Sequence, residues 1–445
     1  MTTTALQELD ALRPAKDPRG THALRILNTL LAGYGPRDFA VRLWDGTVQP
    51  AEGDREARFT LVLNRPDVLW RMFAPPSERK IGEAYAYGDF DVEGDMIRML
   101  DLVSHITKVR IRSVAPLLLD LWKLRTGAKA ADLPDALPSL RGSRHTEDRD
   151  RAAIKHHYDV SPAFYALWLD KRMVYSCSYF PTGTETLDQS QEAKLDLICR
   201  KLRLKRGDRH LDLGCGYGAL VQFAVENYGT RSLGITLSAE HGKVAQTRIR
   251  EKGLADRCEV RILDYRQLPI SEPFDRISAI GIIEHVGEKR LADFFSRVYS
   301  LLKPGGLFLN HGITKQKPKT RYTRAMERLP WRANFILRYV FPDMELLPIH
   351  VLLRASGRAG LETFDVENLR HHYAQTCRLW LDGLNANWDK AVAEIGAPTC
   401  RVWRAYLGHS VYAFETGLCN LMQTLYAKPD HGRTEIPRSR ADLFQ

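Results

Sequence analysis

The stretch LDLGCGYGAL has the composition of a loop that binds a ligand. Gly214, Gly216 and Gly218 alternate with other residues directly after a strand-like segment and before a helical one. Glycine lets the chain turn sharply and lets a ligand approach the backbone closely. The spacing differs from the G-x-G-x-x-G of dinucleotide folds, and the lack of a following Lys-Ser/Thr pair excludes a P-loop. Asp212 precedes the turn, where it could accept hydrogen bonds from a ligand or brace the loop.

Four polar residues elsewhere have side chains capable of acid, base or nucleophilic chemistry. Cys177 lies between two serines and two tyrosines in MVYSCSYF, without a second cysteine at metal-ligand spacing. Taken alone, it is more typical of a buried thiol than of a catalytic group. Glu284 follows a strand, at the edge where open α/β sheets bind ligands. His311 and Tyr373, taken alone, are more typical of a core histidine and of an aromatic residue on a helix face.

Alternating strands and helices would position these residues. RHLDL, RSLGIT, RCEVRILD, FDRISAI and GLFLNHGI read as strands, and helical segments lie between several of them. This alternation predicts a parallel, doubly wound sheet. Before it, residues 1–123 mix short strand-like runs with a helical region, and residues 124–150 are rich in Pro, Gly, Ser and alternating charge. We therefore predict an N-terminal domain over 1–123 and a charged linker over 124–150.

The composition favours a soluble globular protein that has an anionic partner. The formal net charge of +11 would attract nucleic acid, an acidic membrane face or a phosphorylated ligand. No secretory signal is recognisable, and no run approaches the roughly 20 apolar residues of a spanning helix. None of the seven cysteines forms a CxxC pair and their number is odd, which favours reduced thiols in a cytoplasmic protein and argues against structural zinc.

The glycine turn and Asp212 resemble motif I of S-adenosylmethionine-dependent methyltransferases, D-x-G-x-G-x-G. The similarity continues at Asp264, which ends the third strand where that family contacts the adenine amine, and at the KPGG before the last strand. The second strand departs from the family pattern. GITLSAEH lacks the usual acid for the ribose hydroxyls, so Thr236 and the residues after it would serve instead.

Several longer segments together resemble cyclopropane fatty acid synthases and the related mycolic acid methyltransferases. HHYDVSPAFYALWLDKRMVYSCSYF is the most specific, and GITLS, IEHVG, HGI and HHYAQTCRLW follow in that family's order. The resemblance implies an α/β fold, a Rossmann-like class I methyltransferase sheet with an inserted helical lid, plus a small N-terminal α+β lipid-binding domain. The catalytic domain would span residues 151–427, and residues 428–445 would form a C-terminal tail.

The resemblance also assigns the polar residues to two sites. In this family the cysteine is not a nucleophile but helps to line a small pocket that holds a bicarbonate ion. The residues that match this pocket are Cys177, Glu284, His311, Ile313 (through its backbone) and Tyr373. The residues implied to bind S-adenosylmethionine are Tyr158, Tyr175, Ser176, Asp212, Gly214, Gly216, Gly218, Thr236, His241, Asp264 and Tyr265. No metal is expected.

The implied reaction explains why such a pocket is needed. Attack of a cis double bond on the sulfonium methyl leaves a carbocation on an alkyl chain, and loss of a proton from the added methyl closes a three-membered ring. Bicarbonate is a suitable base for that proton. His311 and Tyr373 would donate hydrogen bonds to the ion, and Glu284 would accept its hydroxyl proton. Aromatic faces would stabilise the cation, and the candidates are Tyr158, Phe164, Tyr179 and Tyr373.

Two positions differ from the family pattern. Family members often carry Gly-Asn where this chain has Ser161-Pro162, and Pro162 restricts the backbone there. Many carry Gln where His241 stands, at a position that reaches the ribose. A histidine could form the same hydrogen bond, with a pH dependence that an amide lacks.

The implied partner is an unsaturated phospholipid at the inner face of the membrane, which the protein would visit from the cytoplasm. KTRYTRAMERLPWRANFILRYVF spaces Arg321, Arg324, Arg328 and Arg332 three or four residues apart among aromatic residues, a composition that suits an anionic interface. A solvated charged face is the alternative. The family also implies a homodimer for some members. We expect no nucleic-acid partner, because the chain lacks an Asn/Asp-Pro-Pro-Tyr/Phe motif and a recognisable nucleic-acid-binding module.

Two other outcomes are compatible with the same motifs. A hydride shift before proton loss would give a methylene- or methyl-branched chain, and the substrate could also be an already modified fatty acid. A non-catalytic lipid carrier that kept the fold is the remote alternative, and the joint presence of Cys177, Glu284, His311 and Tyr373 argues against it.

Overall fold

The computed structural model describes residues 17–53, 55–74, 77–106, 117–126, 161–316, 335–341, 343–434 and 436–443. Contacts divide the chain into two compact units. The first comprises Met1–Ala136, Arg321–Tyr339 and Gly396–His409, and the second comprises Leu137–Thr320, Val340–Ile395 and Ser410–Gln445. Most of the predicted linker and of the predicted lid lies outside the described residues, so both stay predictions.

The first unit contains a four-stranded sheet and several helices. The strand order is β2-β1-β3-β4, in which β1 and β3 are parallel and the other pairs are antiparallel. Its core is a cluster of buried apolar side chains in which Phe39 stacks on Phe59, with ring centroids 4.7 Å apart. The elements are α1 (Pro18–Leu30), β1 (Ala40–Arg42), β2 (Val48–Gln49), β3 (Phe59–Leu63), α2 (Val68–Phe73), α3 (Glu78–Ala86), β4 (Phe90–Gly94), α4 (Met96–Ile106) and α5 (Leu118–Lys123).

The second unit is built on a seven-stranded sheet with the order β10-β11-β9-β8-β5-β6-β7. Strands β5 to β9 are parallel to their neighbours, and β10 and β11 are antiparallel additions at one edge. The strands are β5 (Arg209–Leu213), β6 (Arg231–Thr236), β7 (Cys258–Ile262), β8 (Phe274–Ile280), β9 (Leu302–Lys315), β10 (Glu362–Asn368) and β11 (Cys419–Ala427). The chain proceeds from β5 outward through β6 to β7 and then returns to β8, on the other side of β5. The carboxyl end of β5 is therefore a topological switch point, where open α/β sheets bind ligands.

Beyond residue 160, two α-helices of the described chain precede β5 and the others lie between or after the strands. They are α6 (Pro162–Ala166), α7 (Leu187–Lys201), α8 (Ala219–Tyr228), α9 (Ala239–Glu251), α10 (Ile283–Val286), α11 (Leu291–Leu301), α12 (Phe335–Tyr339), α13 (Ile349–Arg358), α14 (Arg370–Ala386), α15 (Trp388–Ile395) and α16 (Ala397–Glu415). Helix α7 begins at Thr186, which forms a reciprocal capping box with Gln189. Helix α9 begins at Ser238, whose hydroxyl accepts a hydrogen bond from the backbone N–H of His241.

The predicted parallel sheet is confirmed, and one boundary differs from the prediction. All five segments predicted as strands contribute to β5 to β9. The last strand was expected to follow the KPGG helix stop. Helix α11 does end at Leu301, but β9 already begins at Leu302 and contains the KPGG residues. The signal for the helix end was therefore correct, although the same residues start the strand.

Helix α12 is the described part of the basic and aromatic segment, and it packs within the first unit. Phe335 is buried against Gly82, and the Tyr339 hydroxyl donates to Glu83 at 2.7 Å. These two aromatic residues therefore do not present free rings to a membrane, and the arginines predicted to do so lie outside the described residues. Among the described helices, none is both long enough and apolar enough to cross a bilayer.

Candidate functional site

A cavity of about 600 Å³ opens at the carboxyl ends of the parallel strands. It contains most of the residues predicted to bind a cofactor. The ones that line it are Tyr175, Ser176, Asp212, Gly214, Gly216, Thr236, His241, Asp264 and Tyr265. Gly218 does not line the cavity, and Tyr158 lies outside the described residues. The predicted set is thus brought together by the strand ends, as expected for a ligand site at a switch point.

The three glycines of the turn are required for different physical reasons. All have positive φ values, 73° at Gly214, 51° at Gly216 and 77° at Gly218. A Cβ at Gly214 would lie 2.0 Å from Cδ1 of Ile282, and one at Gly218 would lie 3.0 Å from Cβ of Ala245. A Cβ at Gly216 would meet no atom within 4 Å, because it would project into open space. Gly214 and Gly218 therefore allow close packing, whereas Gly216 leaves room beside the cavity.

Asp212 is oriented by a chain of buried hydrogen bonds that crosses the sheet. The Ser278 hydroxyl donates to Asp212 at 2.7 Å, and Nε2 of His210 lies 2.9 Å from the same hydroxyl. Because this hydroxyl proton points to the carboxylate, His210 donates through Nε2, and its Nδ1 accepts from Ser232 at 3.2 Å. Burial lowers the pKa of His210 to about 3, so its ring is neutral, and burial raises the pKa of Asp212 to about 7.

Asp264 has a closer partner than the sequence suggested. The backbone N–H and the guanidinium of Arg266 both donate to its carboxylate, at 2.9 Å for the backbone and 2.6 Å for the shortest guanidinium contact. Arg266 also lines the cavity. A nucleobase bound there would contact the ion pair between Asp264 and Arg266. The backbone N–H and the guanidinium of Arg266 hold the Asp264 carboxylate in one orientation. The predicted contact between Asp264 and an adenine amine stays a prediction.

His241 would behave more like an amide than its residue type suggests. It is buried and its ring lies 4.1 Å from that of Tyr217, centroid to centroid. Burial lowers the pKa of His241 to about 4. The ring is therefore neutral throughout the physiological range, and any pH dependence that it confers would appear only under acidic conditions.

Lys194 was missed by the sequence analysis, although it lines the cavity. It projects from α7, is 1% exposed, and donates from Nζ to the Ser176 hydroxyl at 2.7 Å. Burial lowers the pKa of Lys194 to about 8, which still leaves most of it protonated at pH 7. A signal was present in the sequence. Lys194 falls on the same helical stripe as Gln191, Leu195 and Ile198, which are buried, and this is an unusual place for a lysine.

We refer to the five residues of the predicted bicarbonate pocket as the second cluster, and two of them stand next to cavity residues in the chain. Cys177 directly follows Ser176, and Glu284 lies between Ile282 and His285. Ser176, Ile282 and His285 line the cavity, whereas Cys177 and Glu284 do not. Glu284 accepts a hydrogen bond from the backbone N–H of Ile313 at 2.6 Å. The backbone of Ile313 therefore contributes by orienting this carboxylate.

Cys177 and Tyr373 both lie near the carbonyl of Leu369, the residue before α14. The Cys177 thiol donates to the carbonyl of Ser178 at 3.1 Å and lies 3.9 Å from the carbonyl of Leu369. The same Leu369 carbonyl accepts from the backbone N–H of Tyr373 at 3.0 Å. Complete burial raises the pKa of the Cys177 thiol far above its usual range. A thiol that stays protonated is a poor nucleophile, which agrees with the predicted structural role in the pocket.

Two buried polar atoms in this cluster have no hydrogen-bond partner among the described residues, Oε2 of Glu284 and Nε2 of His311. Nδ1 of His311 lies 3.2 Å from the side-chain nitrogen of Gln423. With that amide donating, Nδ1 is the acceptor and Nε2 carries the proton. Burial lowers the pKa of His311 and raises that of Glu284 to about 7. The cluster thus offers a donor and an acceptor to a small polar ligand.

Aromatic rings surround both sites, but not in the combination predicted. Tyr175 packs against Tyr165, Trp168 and Trp380, with centroids 5.2–5.5 Å apart. Tyr373 stacks on Phe414 at 4.4 Å. Two other candidates for stabilising a cation have protein partners. Phe164 is buried against Tyr165 and Trp168, and Tyr179 stacks on His372 at 4.7 Å.

Replacing Glu284 by Gln should change how stability depends on pH. A carboxyl whose pKa is raised on folding stabilises the folded state below its unfolded pKa, and this contribution is lost as pH rises through the folded pKa. For Glu284 that window extends from 4.5 to about 7. Urea denaturation should therefore find the Gln variant gaining about 2–3 kcal/mol relative to the parent protein between pH 5 and pH 8. An equal difference at both pH values would contradict the burial of an ionisable carboxyl here.

Comparisons with known proteins agree with the fold described above. Residues 145–424 match the family model described as mycolic acid cyclopropane synthetase. A "probable fatty acid methyltransferase" of Pseudomonas putida is 37% identical over 91% of this chain and 96% of its own length, and one of Mycobacterium tuberculosis is 36% identical over 91% and 94%. A solved mycolic acid cyclopropane synthase, complexed with SAH and CTAB, is 33% identical and covers 62% of this chain and 98% of its own, with a TM-score of 0.58.

Proposed function

This chain belongs to the mycolic acid cyclopropane synthase family of S-adenosylmethionine-dependent methyltransferases, and on that premise we propose that it methylates the cis double bond of unsaturated phospholipid acyl chains to give cyclopropane acyl chains. The observation that carries the proposal is the position of two predicted pocket residues beside the cavity. Cys177 directly follows the cavity residue Ser176, and Glu284 lies between the cavity residues Ile282 and His285.

The cavity supports S-adenosylmethionine as the cofactor. When bound, it would supply an electrophilic methyl group. Gly216 leaves open space for a ligand beside the backbone, and Asp212 is held in one orientation by Ser278. Asp264 follows β7, His241 lies in the first turn of α9 after the neighbouring strand β6, and both line the same space. The chain thus presents carboxylates and a neutral imidazole to the polar parts of a nucleoside, and buried apolar side chains around them exclude water.

The second cluster supports bicarbonate as the base, because its free donor and acceptor match the ion. When bound, bicarbonate would take the proton whose loss closes the ring. His311 would donate from Nε2, which Gln423 keeps protonated, and Glu284 would accept through Oε2, which Ile313 keeps in place. Cys177 would fill the pocket as a thiol. Tyr373 would present an aromatic face and a hydroxyl to the same region.

A branched product is the second candidate. The two relatives that match over 91% of this chain are both named as fatty acid methyltransferases, without mention of a cyclopropane. A hydride shift on the acyl chain before proton loss would give a methylene- or methyl-branched chain from the same first step. The two outcomes differ in the carbon atom from which the base removes a proton.

Product analysis tests both candidates. The purified protein is incubated with S-adenosylmethionine, bicarbonate and vesicles of a cis-monounsaturated phospholipid, and the fatty acid esters are analysed by gas chromatography and mass spectrometry. A cyclopropane product whose yield falls when bicarbonate is removed is the expected result. A branched product would favour the second candidate. Cofactor binding without any product would favour a modified lipid substrate or a lipid carrier.

We also propose that the protein acts peripherally at the inner face of the membrane, and that it forms a homodimer there. The net charge of +11 supports attraction to an anionic surface. Replacing Arg324 and Arg328 by Glu should reduce sedimentation with anionic vesicles at least tenfold and leave turnover of detergent-dispersed lipid unchanged. Arg250→Glu with Arg438→Glu, at exposed positions elsewhere, is the charge-matched control. Equal losses in both pairs would indicate a general charge effect instead of a specific surface.

A further inference from the structure

The wall of the cofactor cavity carries two buried groups of opposite charge that are not paired with each other. Lys194 and Asp212 both line the cavity, and they are 1% and 3% exposed. No carboxylate in the described part of the chain lies within 4.0 Å of the Lys194 ammonium. Each group nevertheless feels the other's charge, since Asp212 raises the pKa of Lys194 and Lys194 lowers that of Asp212. Lys194 and Asp212 therefore line the same cavity, close enough to interact, without forming an ion pair.

An unpaired buried ammonium is costly, and this one is held in place. Transfer of an isolated charge into a protein interior costs several kcal/mol unless a counter-charge or hydrogen bonds compensate. The hydroxyl of Ser176 supplies one hydrogen bond to Nζ of Lys194, at 2.7 Å. An ammonium can donate three. In the described part of the chain the ammonium has no further hydrogen-bond acceptor, so its remaining donors are available to a ligand in the cavity.

We propose that Lys194 binds the carboxylate of the amino-acid part of S-adenosylmethionine, opposite Asp212, which faces its ammonium. This inference rests on the proposed function, because it names the contact that the cofactor makes at one end of the cavity. A zwitterion whose carboxylate contacts Lys194 and whose ammonium contacts Asp212 would compensate both side chains at once. Ser176, which Lys194 holds, would be positioned to donate to the same carboxylate.

The neighbouring bicarbonate pocket is a less suitable place for this ammonium. The charge of Lys194 also acts on Cys177 and His311, so it lies near both sites. Lys194 and its partner Ser176 line the cofactor cavity, however, whereas Cys177, Glu284 and His311 do not. The pocket already has its own donor in His311 and its own acceptor in Glu284. The position of Lys194 on the cofactor cavity therefore favours a contact between its ammonium and the cofactor.

The test compares a ligand that has the amino-acid part with one that lacks it. Binding of S-adenosylhomocysteine and of 5′-methylthioadenosine is measured by calorimetry for the parent protein, Lys194→Met and Lys194→Gln. Both variants should bind S-adenosylhomocysteine about 10- to 100-fold more weakly, as expected for a lost charged hydrogen bond. Affinity for 5′-methylthioadenosine should stay within threefold. The Gln variant keeps a donor for Ser176, so it remains informative if the Met variant folds poorly.

Lys201→Met is the matched control. Lys201 lies two turns further along α7 and is equally buried, but it is paired with Asp365 and Glu367 and does not line the cavity. Its loss should affect stability without changing the ratio of the two affinities. Equal weakening of both ligands by the Lys194 variants would assign Lys194 a structural role and overturn the inference, as would no weakening. If the parent protein binds neither ligand, the cofactor assignment itself fails.

Discussion

Glu284→Ala is expected to reduce turnover about a thousandfold while affinity for S-adenosylhomocysteine stays within twofold. Glu284 does not line the cofactor cavity, so its truncation leaves the cofactor contacts intact. The proposed pocket would lose the carboxylate acceptor that it presents, Oε2 of Glu284, which has no hydrogen-bond partner among the described residues. Positioned groups that assist proton transfer contribute about 10²- to 10⁴-fold to rate, and the expected loss lies within that range. Turnover by product analysis and affinity by calorimetry measure the two effects separately.

The bicarbonate dependence of the reaction distinguishes a role in the pocket from a general defect. If Glu284 orients the ion, a Glu284→Gln variant should need a higher bicarbonate concentration for half-maximal rate, because an amide can no longer accept the hydroxyl proton through both oxygens. Glu288→Ala is the control, since Glu288 lies one turn further along the chain and is exposed. It should leave turnover unchanged. Full activity of Glu284→Ala at low bicarbonate would remove Glu284 from the mechanism.

The sheet and the glycine turn could be predicted from the sequence because their signals are local. Alternating strand and helix segments define the parallel strands, and glycine spacing marks the turn after β5. Asp212 could be placed at the site for the same reason, since it ends that strand. Helix and strand signals do not depend on distant parts of the chain. The exact start of β9 was misjudged, because the KPGG residues end a helix and begin a strand, and the antiparallel strands β10 and β11 were not predicted.

The second cluster could not be predicted from spacing. Cys177, Glu284, His311 and Tyr373 are far apart in the chain, and each alone resembles an ordinary core residue. A resemblance to a known family identified them. Of the groups that orient them, the backbone of Ile313 was in the predicted set, but Gln423 was missed because its role depends on a tertiary contact. Gln423 sets the His311 tautomer from the neighbouring strand β11.

The groups that hold the cofactor side of the site were missed for a related reason. His210 and Ser278 orient Asp212 from within the sheet, where sequence patterns show only strand residues with unexpected polarity. Lys194 lies on a helix face whose nearest inward residues, Gln191, Leu195 and Ile198, carry no charge. A polar residue on a predicted buried face is therefore the signal that would have found all three.

Gly216→Val is expected to abolish cofactor binding, with affinity for S-adenosylhomocysteine reduced at least 100-fold. The valine side chain would project into the open space beside the cavity, where the proposed cofactor approaches the backbone. The φ value of 51° at Gly216 adds a strain of about 1–2 kcal/mol for a side chain with a Cβ. Strain and blocked space would both weaken binding, and the two causes need to be separated.

Gly253→Val separates them, because it reproduces the strain without the blocked space. Gly253 has a φ of 66°, is exposed beyond the end of α9, and has no atom within 4 Å of its ideal Cβ position. It does not line the cavity. The control should therefore lower the melting temperature by a few degrees and leave affinity unchanged. Gly216→Ala, with similar strain but less volume, should show an intermediate loss. Normal affinity in Gly216→Val would mean that the cofactor does not pass over this turn, and the cavity assignment would have to be abandoned.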